Sequence, residues 1–224
     1  MEGITKKIDF LISIDGPAGS GKSTICELIA KKLGFTHIDT GSMYRAVTYY
    51  AISNNLPLDD ETSYDFIDQI TFQLAGEKIY LNQKDISQEI RSKEVTDNVS
   101  LVSSFSSVRK KLVALQKELA HGKIIMDGRD IGTKVMPQAD IKIFLTADSR
   151  VRAIRRLKQK NQEVNEERLR YEELNIIKRD NKDSTRKDSP LVVPKDALIL
   201  DTSNSTLQEV VDKIISIIEE EYKI

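Results

Sequence analysis

A single cysteine, Cys26, occurs in 224 residues, so no disulfide can close within the chain and a reducing, cytoplasmic setting is the expectation. It falls beside Ile25, Leu28 and Ile29 in a helical pattern, where it reads as a small buried apolar residue. Histidine is nearly as scarce. His37 and His121 lie far apart with no cysteine or histidine at metal-ligand spacing, so no transition-metal site built by the protein is expected. His121, just before Gly122, reads instead as a helix end, where a cationic side chain suits the helix dipole. Charge imbalance is missing too: 34 basic and 35 acidic side chains leave a net charge of -1, which argues against stable nucleic-acid binding. Long apolar runs are absent. The first ends at Ile14 after about five residues, against the roughly 20 of a membrane span. Glu2 stands where myristoylation needs glycine, so neither a membrane nor an obligate protein partner is expected.

With 39% hydrophobic and 31% charged residues, the composition is that of a soluble globular protein, and the length suits one unit over 1–224. Phe10-Leu11-Ile12-Ser13-Ile14 reads as a buried strand, followed by a glycine-rich turn and a helix that Gly34 ends. A short strand over 36–39 and a helix over about 42–54 follow. Between about 56 and 95 the texture changes to short alternating segments around Ala75-Gly76-Glu77 and Asn82-Gln83, predicting a small antiparallel β insertion. Helical periodicity then runs over 99–120, strands over 123–126 and 141–145, a very polar helical region over about 149–183, and a last strand over 197–200. Leu207, Val210, Val211, Ile214, Ile215 and Ile218 form one face of a C-terminal amphipathic helix. Strands alternating with helices predict an α/β fold with a parallel sheet covered on both faces.

Directly after the first strand stands Gly16-Pro17-Ala18-Gly19-Ser20-Gly21-Lys22-Ser23, the G-x-x-x-x-G-K-[ST] phosphate loop in its proper context of strand before and helix after. Its glycines let successive backbone N–H groups turn toward phosphate oxygens, and the helix adds its positive dipole end. Lys22 can reach the outer phosphates, and the Ser23 hydroxyl can hold a nucleotide-bound Mg²⁺. Thr24 completes the nucleotide-binding stretch. The guanine signature of GTPases is missing, since Asn181-Lys182-Asp183-Ser184 lacks an aspartate in fourth place. A small-molecule kinase fits best.

The arginines bear on the acceptor. A phosphate acceptor is already largely ionised and needs charge neutralisation and alignment more than a base. Arg45 and Arg129 follow core strands at the sheet edge where α/β folds bind ligands, Arg179 and Arg186 flank the polar region, and Arg152, Arg155 and Arg156 share one helix face. Two competitors stay open: another small-molecule P-loop kinase, such as a UMP-specific one, and a nucleotide-binding switch without transfer activity.

Asp15-Gly16-Pro17-Ala18-Gly19-Ser20-Gly21-Lys22-Ser23, Asp39-Thr40-Gly41-Ser42-Met43-Tyr44-Arg45, Asp127-Gly128-Arg129-Asp130-Ile131-Gly132-Thr133 and the tail Arg179-Asp180-Asn181-Lys182-Asp183-Ser184-Thr185-Arg186 together resemble the bacterial cytidylate kinases, in order and over nearly the whole chain. The resemblance implies a P-loop NTPase fold, three-layer α/β/α with a five-stranded parallel sheet, an enlarged monophosphate-binding insertion at 56–95 and a helical lid at about 150–165. It implies ATP and CMP or dCMP as substrates, with Mg²⁺ bound alongside ATP. Lys22, Arg129, Arg186 and Arg155 would be catalytic, and Arg152 and Arg156 would contact ATP from the lid. Phosphate binding falls on Arg45, Arg129 and Arg186, cytosine contacts on Ser100, Arg109 and Asp130, and sugar contacts on Arg179 and Asp183, with Thr40 near the nucleoside. The stretch 158–165 departs from some relatives in lacking a glycine.

Overall fold

A strand covered on both faces has no polar side, and Phe10–Asp15 (β1) is buried at every position. In the computed structural model, which describes residues 9–76 and 78–222, β1 is the centre of a parallel sheet. Lys123–Gly128 (β6) pairs on one side and Ile141–Thr146 (β7) on the other, with Thr36–Asp39 (β2) and Leu198–Asp201 (β8) at the edges, in the order β2-β6-β1-β7-β8. The expected five-stranded parallel sheet is therefore present. Because β6 and β7 leave the central strand in opposite directions, the carboxyl end of β1 opens a crevice.

Helix α1 (Lys22–Leu33) and helix α7 (Leu207–Tyr222) cover one face, where Ile25, Cys26, Ile29, Val210, Val211, Ile214 and Ile218 pack on Phe10, Ile12 and Ile14. Gly34 ends α1 in the left-handed conformation, as expected. On the other face, Leu11, Ile38 and Met126 meet Ile131, Val135 and Met136. Helix α2 starts at Thr40, earlier than the periodicity indicates, and runs to Ser53. The Asp39 carboxylate caps it by accepting from the Ser42 amide.

The insertion contains the predicted antiparallel strands Phe72–Ala75 (β3), Lys78–Leu81 (β4) and Lys84–Asp85 (β5), together with an unpredicted 3-10 helix over Glu61–Gln69. The helix predicted over 99–120 is two: α3 (Lys93–Val102) and α4 (Ser106–Glu118). Ser104 breaks it by donating its hydroxyl to Leu101 O at 2.6 Å, and Phe105 is extended. The periodicity runs through the break because Val99, Val102, Val108 and Leu112 all enter one cluster. His121 lies past the end of α4.

The polar region is likewise two helices, α5 (Ser149–Gln159) and α6 (Glu166–Thr185). Ala153, Leu157, Leu169 and Ile176 give the pair its own apolar seam, which its polar composition conceals. No helix among the described residues is long and apolar enough to cross a membrane.

Candidate active site

The phosphate loop joins β1 to α1 against β7. Gly16 has φ +151°, and a Cβ there would lie 2.0 Å from the Leu145 carbonyl oxygen, so no side chain fits. Lys22 folds back over the loop, donating to Pro17 O at 2.8 Å and Ser20 Oγ at 3.2 Å. Burial, reinforced by nearby Arg129, pushes its pKa down to about 7. Ser23 Oγ donates to Asp127 Oδ2 at 2.9 Å at the end of β6. This pair of hard oxygen donors suits Mg²⁺.

Two further carboxylates brace the loop region, and neither was assigned a role from sequence. Asp15 accepts the Ile131 and Gly132 amides at 2.9 and 2.7 Å, while burial still raises its pKa to about 6. Asp180 on α6 accepts the Ala18 amide at 3.2 Å and Arg152 NH1 at 2.5 Å. That same Arg152 NH1 donates to Ala18 O at 2.9 Å, and Arg152 Nε donates to Ala147 O. Both polar groups of Ala18 are thereby gripped from α5 and α6. Arg152, Arg155 and Arg156 share a face of α5 but diverge in partners: Arg152 to Ala18 and Asp180, Arg155 to the Thr202 hydroxyl and carbonyl at 2.9 and 2.6 Å, and Arg156 to Glu172 at 2.7 Å.

Arg45, Arg109, Arg129, Asp130, Arg179, Asp183 and Arg186 do converge. Arg129 Nε donates to Asp183 at 3.0 Å, Arg186 lies 3.4 Å from Asp183 and 3.8 Å from Asp130, and Arg109 pairs with Asp130 at 2.8 Å over the Tyr44 ring. Arg45 pairs with Asp39 at 2.6 Å, and Thr40 Oγ1 donates to Asp127 O. Burial, and after it the neighbouring Arg129, push the Arg179 pKa down to about 10 against the opposing pull of Asp183. Burial alone would raise the Asp183 carboxyl, but Arg129, Arg179 and Arg186 hold it below the usual carboxylate range.

Buried polar atoms normally have partners. Here Ser100 Oγ, Asp130 Oδ2, Arg109 Nε, Arg186 NH2, Arg45 Nε and Arg179 Nε are buried without a hydrogen-bond partner among the described residues. Ser100 on α3, Arg156 on α5 and Arg179 on α6 also line a cleft of about 1260 Å³. The atoms left open are of kinds a nucleoside monophosphate could satisfy: guanidinium donors for phosphate, and a carboxylate oxygen and a hydroxyl for a base edge.

A parallel sheet with a phosphate loop at the carboxyl end of its central strand, faced by convergent arginines, defines the class of P-loop kinases. A gluconokinase structure from Sinorhizobium meliloti 1021 shares this fold with TM-score 0.52 at 14% identity, covering 97% of this chain and 95% of its own. The cytidylate kinase family model matches residues 12–220. The cytidylate kinase of Acholeplasma laidlawii is 53% identical over 214 residues, covering 94% of this chain and 95% of its own. That of Ligilactobacillus salivarius is 48% identical over 215 residues, covering 93% and 96%. The chain belongs to the cytidylate kinase family.

Proposed function

We propose that the protein transfers the γ-phosphoryl group of ATP to CMP and dCMP, giving ADP with CDP or dCDP. The supporting observation is the set of unsatisfied buried polar atoms on Arg109, Asp130 and Arg186, which cluster just past the carboxyl end of β6, together with that on Ser100 of α3. In this reading Asp130 accepts from the cytosine amine, with Ser100 and Arg109 on the remaining base edge. Arg45, Arg129 and Arg186 hold the monophosphate, and Arg179 and Asp183 hold the sugar. Lys22 swings from Pro17 O to the donor phosphates, where their negative charge restores its protonation. Mg²⁺ held with ATP by Ser23, beside Asp127, would supply charge neutralisation on the phosphates. Arg155 reaches the transferred group only by leaving Thr202. No general base is needed, because a phosphate monoester with a second pKa near 6 presents an ionised oxygen as nucleophile. The free, buried thiol of Cys26 fits a cytoplasmic enzyme.

ATP consumption by purified protein with Mg²⁺ and a panel of monophosphates tests this. CMP and dCMP should both be phosphorylated, and kcat/KM for UMP should be lower by about 10²-fold or more, because uracil presents an acceptor where Asp130 needs a donor. Asp130→Asn should narrow the CMP to UMP ratio by at least about tenfold, since the amide can donate to uracil. Equal use of UMP and CMP by the unaltered protein would overturn the cytosine assignment.

A further inference from the structure

Spacing in the sequence predicts no protein-built metal site, yet folding brings three donors from three elements together. Cys26 of α1, His37 of β2 and Asp127 of β6 place Sγ, an imidazole nitrogen and a carboxylate oxygen all within 4.8 Å of one another. His37 Nε2 already shares a hydrogen bond with Asp127 Oδ1 at 2.7 Å, and Asp127 uses its other oxygen on Ser23. The His37 side chain is 14% exposed and the Asp127 side chain 4%, while Cys26 is fully buried, so His37 is the most open member of a sheltered cluster.

We propose that Cys26, His37 and Asp127 form a binding site for a borderline-soft divalent cation of the Zn²⁺ type, and that its occupation inhibits the enzyme by drawing Asp127 away from Ser23. The donor set selects the cation. Thiolate and imidazole with one carboxylate suit Zn²⁺, whereas Mg²⁺ requires oxygen ligands and near-octahedral geometry. Bond lengths of about 2.0–2.3 Å put neighbouring ligands of tetrahedral zinc about 3.3–3.8 Å apart. The widest pair at the site therefore has to close by at most about 1.5 Å from its limit of 4.8 Å, and the His37–Asp127 pair has to open by less.

Burial opposes charge at the cluster, and nearby carboxylates offset part of that for a cation. Asp15 and Asp39 act on Cys26, and Asp39 and Glu27 act on His37, opposed by Lys22, whose ammonium is turned toward Pro17 O. One Zn²⁺ enters, the Cys26 proton and any proton on His37 leave, and water takes the fourth position. Because Asp127 is shared between this site and the Ser23 hydroxyl, zinc opposes the arrangement that suits Mg²⁺ at the phosphate loop.

Titration with Co²⁺ reads the site directly and does not depend on the kinase reading. The unaltered protein should bind one Co²⁺ with a near-ultraviolet thiolate-to-metal charge-transfer band and visible bands of tetrahedral intensity, and Zn²⁺ should displace it. Cys26→Ala should lose the band and bind Zn²⁺ at least about 100-fold more weakly, and His37→Gln should weaken binding similarly. With Mg²⁺ and ATP present, Zn²⁺ should inhibit the unaltered protein, while Cys26→Ala, active without zinc, should resist it. Absence of the charge-transfer band in the unaltered protein would overturn the site, and equal zinc affinity in folded Cys26→Ala would do the same. If the band appears and Zn²⁺ does not inhibit, the regulatory half of the proposal fails.

Discussion

Lys22 is an ammonium group only 5% exposed, and burial with Arg129 nearby moves its pKa to about 7 from 10.5. An unfolded lysine keeps its proton up to about pH 10.5, so between pH 7 and 10.5 the unfolded chain holds the extra proton and stability rises with pH. Below pH 7 the folded, nucleotide-free protein bears the whole cost of burying the cation, only partly offset by its bonds to Pro17 O and Ser20. Lys22→Met, similar in volume and uncharged, should therefore raise the melting temperature without ligand while abolishing most turnover. The gain should be largest near pH 6.5 and shrink steadily toward pH 9.5. Thermal melts across that range check it, and a variant no more stable than the parent at pH 6.5 contradicts it. At this scale the motif residues were legible because loop and strand context lie within one stretch of chain. Asp127, His37 and Asp180 were not assigned roles. Ser23 meets Asp127 across 104 residues and Ala18 meets Asp180 across 162, and no local string records such a pairing.

Helices α5 and α6 carry a different lesson. Spacing correctly put Arg152, Arg155 and Arg156 on one face of α5, but a shared face does not mean a shared ligand. Arg152 is 7% exposed and ties down Ala147, Ala18 and Asp180, so its side chain shapes the loop from behind. Gly19 lies against the same residue, where a Cβ would come within 3.3 Å of Arg152 Cβ. Asp180→Ala removes the acceptor for the Ala18 amide and leaves a mostly buried guanidinium with one partner fewer. The expected cost is about 1.5–3 kcal/mol of stability, as for a charge-assisted hydrogen bond. Because the clamp grips the ATP loop and not the arginine cluster, KM for ATP should rise several-fold while KM for CMP moves little. Steady-state kinetics with each substrate varied in turn check this split, and equal rises in both constants would mean a general loss of structure. The break between α3 and α4 escaped the sequence for a related reason: periodicity reports which core a residue faces, and both helices face the same one.

At the scale of the whole molecule, an open cleft of about 1260 Å³ lies between the end of the insertion with α3 on one wall and α5 with α6 on the other. Its lining includes eight Lys and Arg side chains against four carboxylates, a positive balance that favours entry of anionic substrates. Phosphoryl transfer beside bulk water would waste ATP by hydrolysis, so closure should follow the binding of both substrates. The apolar seam of Ala153, Leu157, Leu169 and Ile176 means the lid should swing as a packed pair of helices and not order from a loose loop. Hydrogen exchange distinguishes these. Without ligand, amides in the polar connection 160–165 and in strands β3 to β5 should exchange faster than those of β1 and β7. Adding CMP with a non-hydrolysable ATP analogue should slow them several-fold while amides at Ile12 and Phe144 change little. Amides at Leu157 and Ile176 should be protected throughout, because their seam persists in both states. Exchange in the connection and insertion already as slow without ligand would rule closure out, and unprotected amides at Leu157 and Ile176 would mean a lid that orders only on binding.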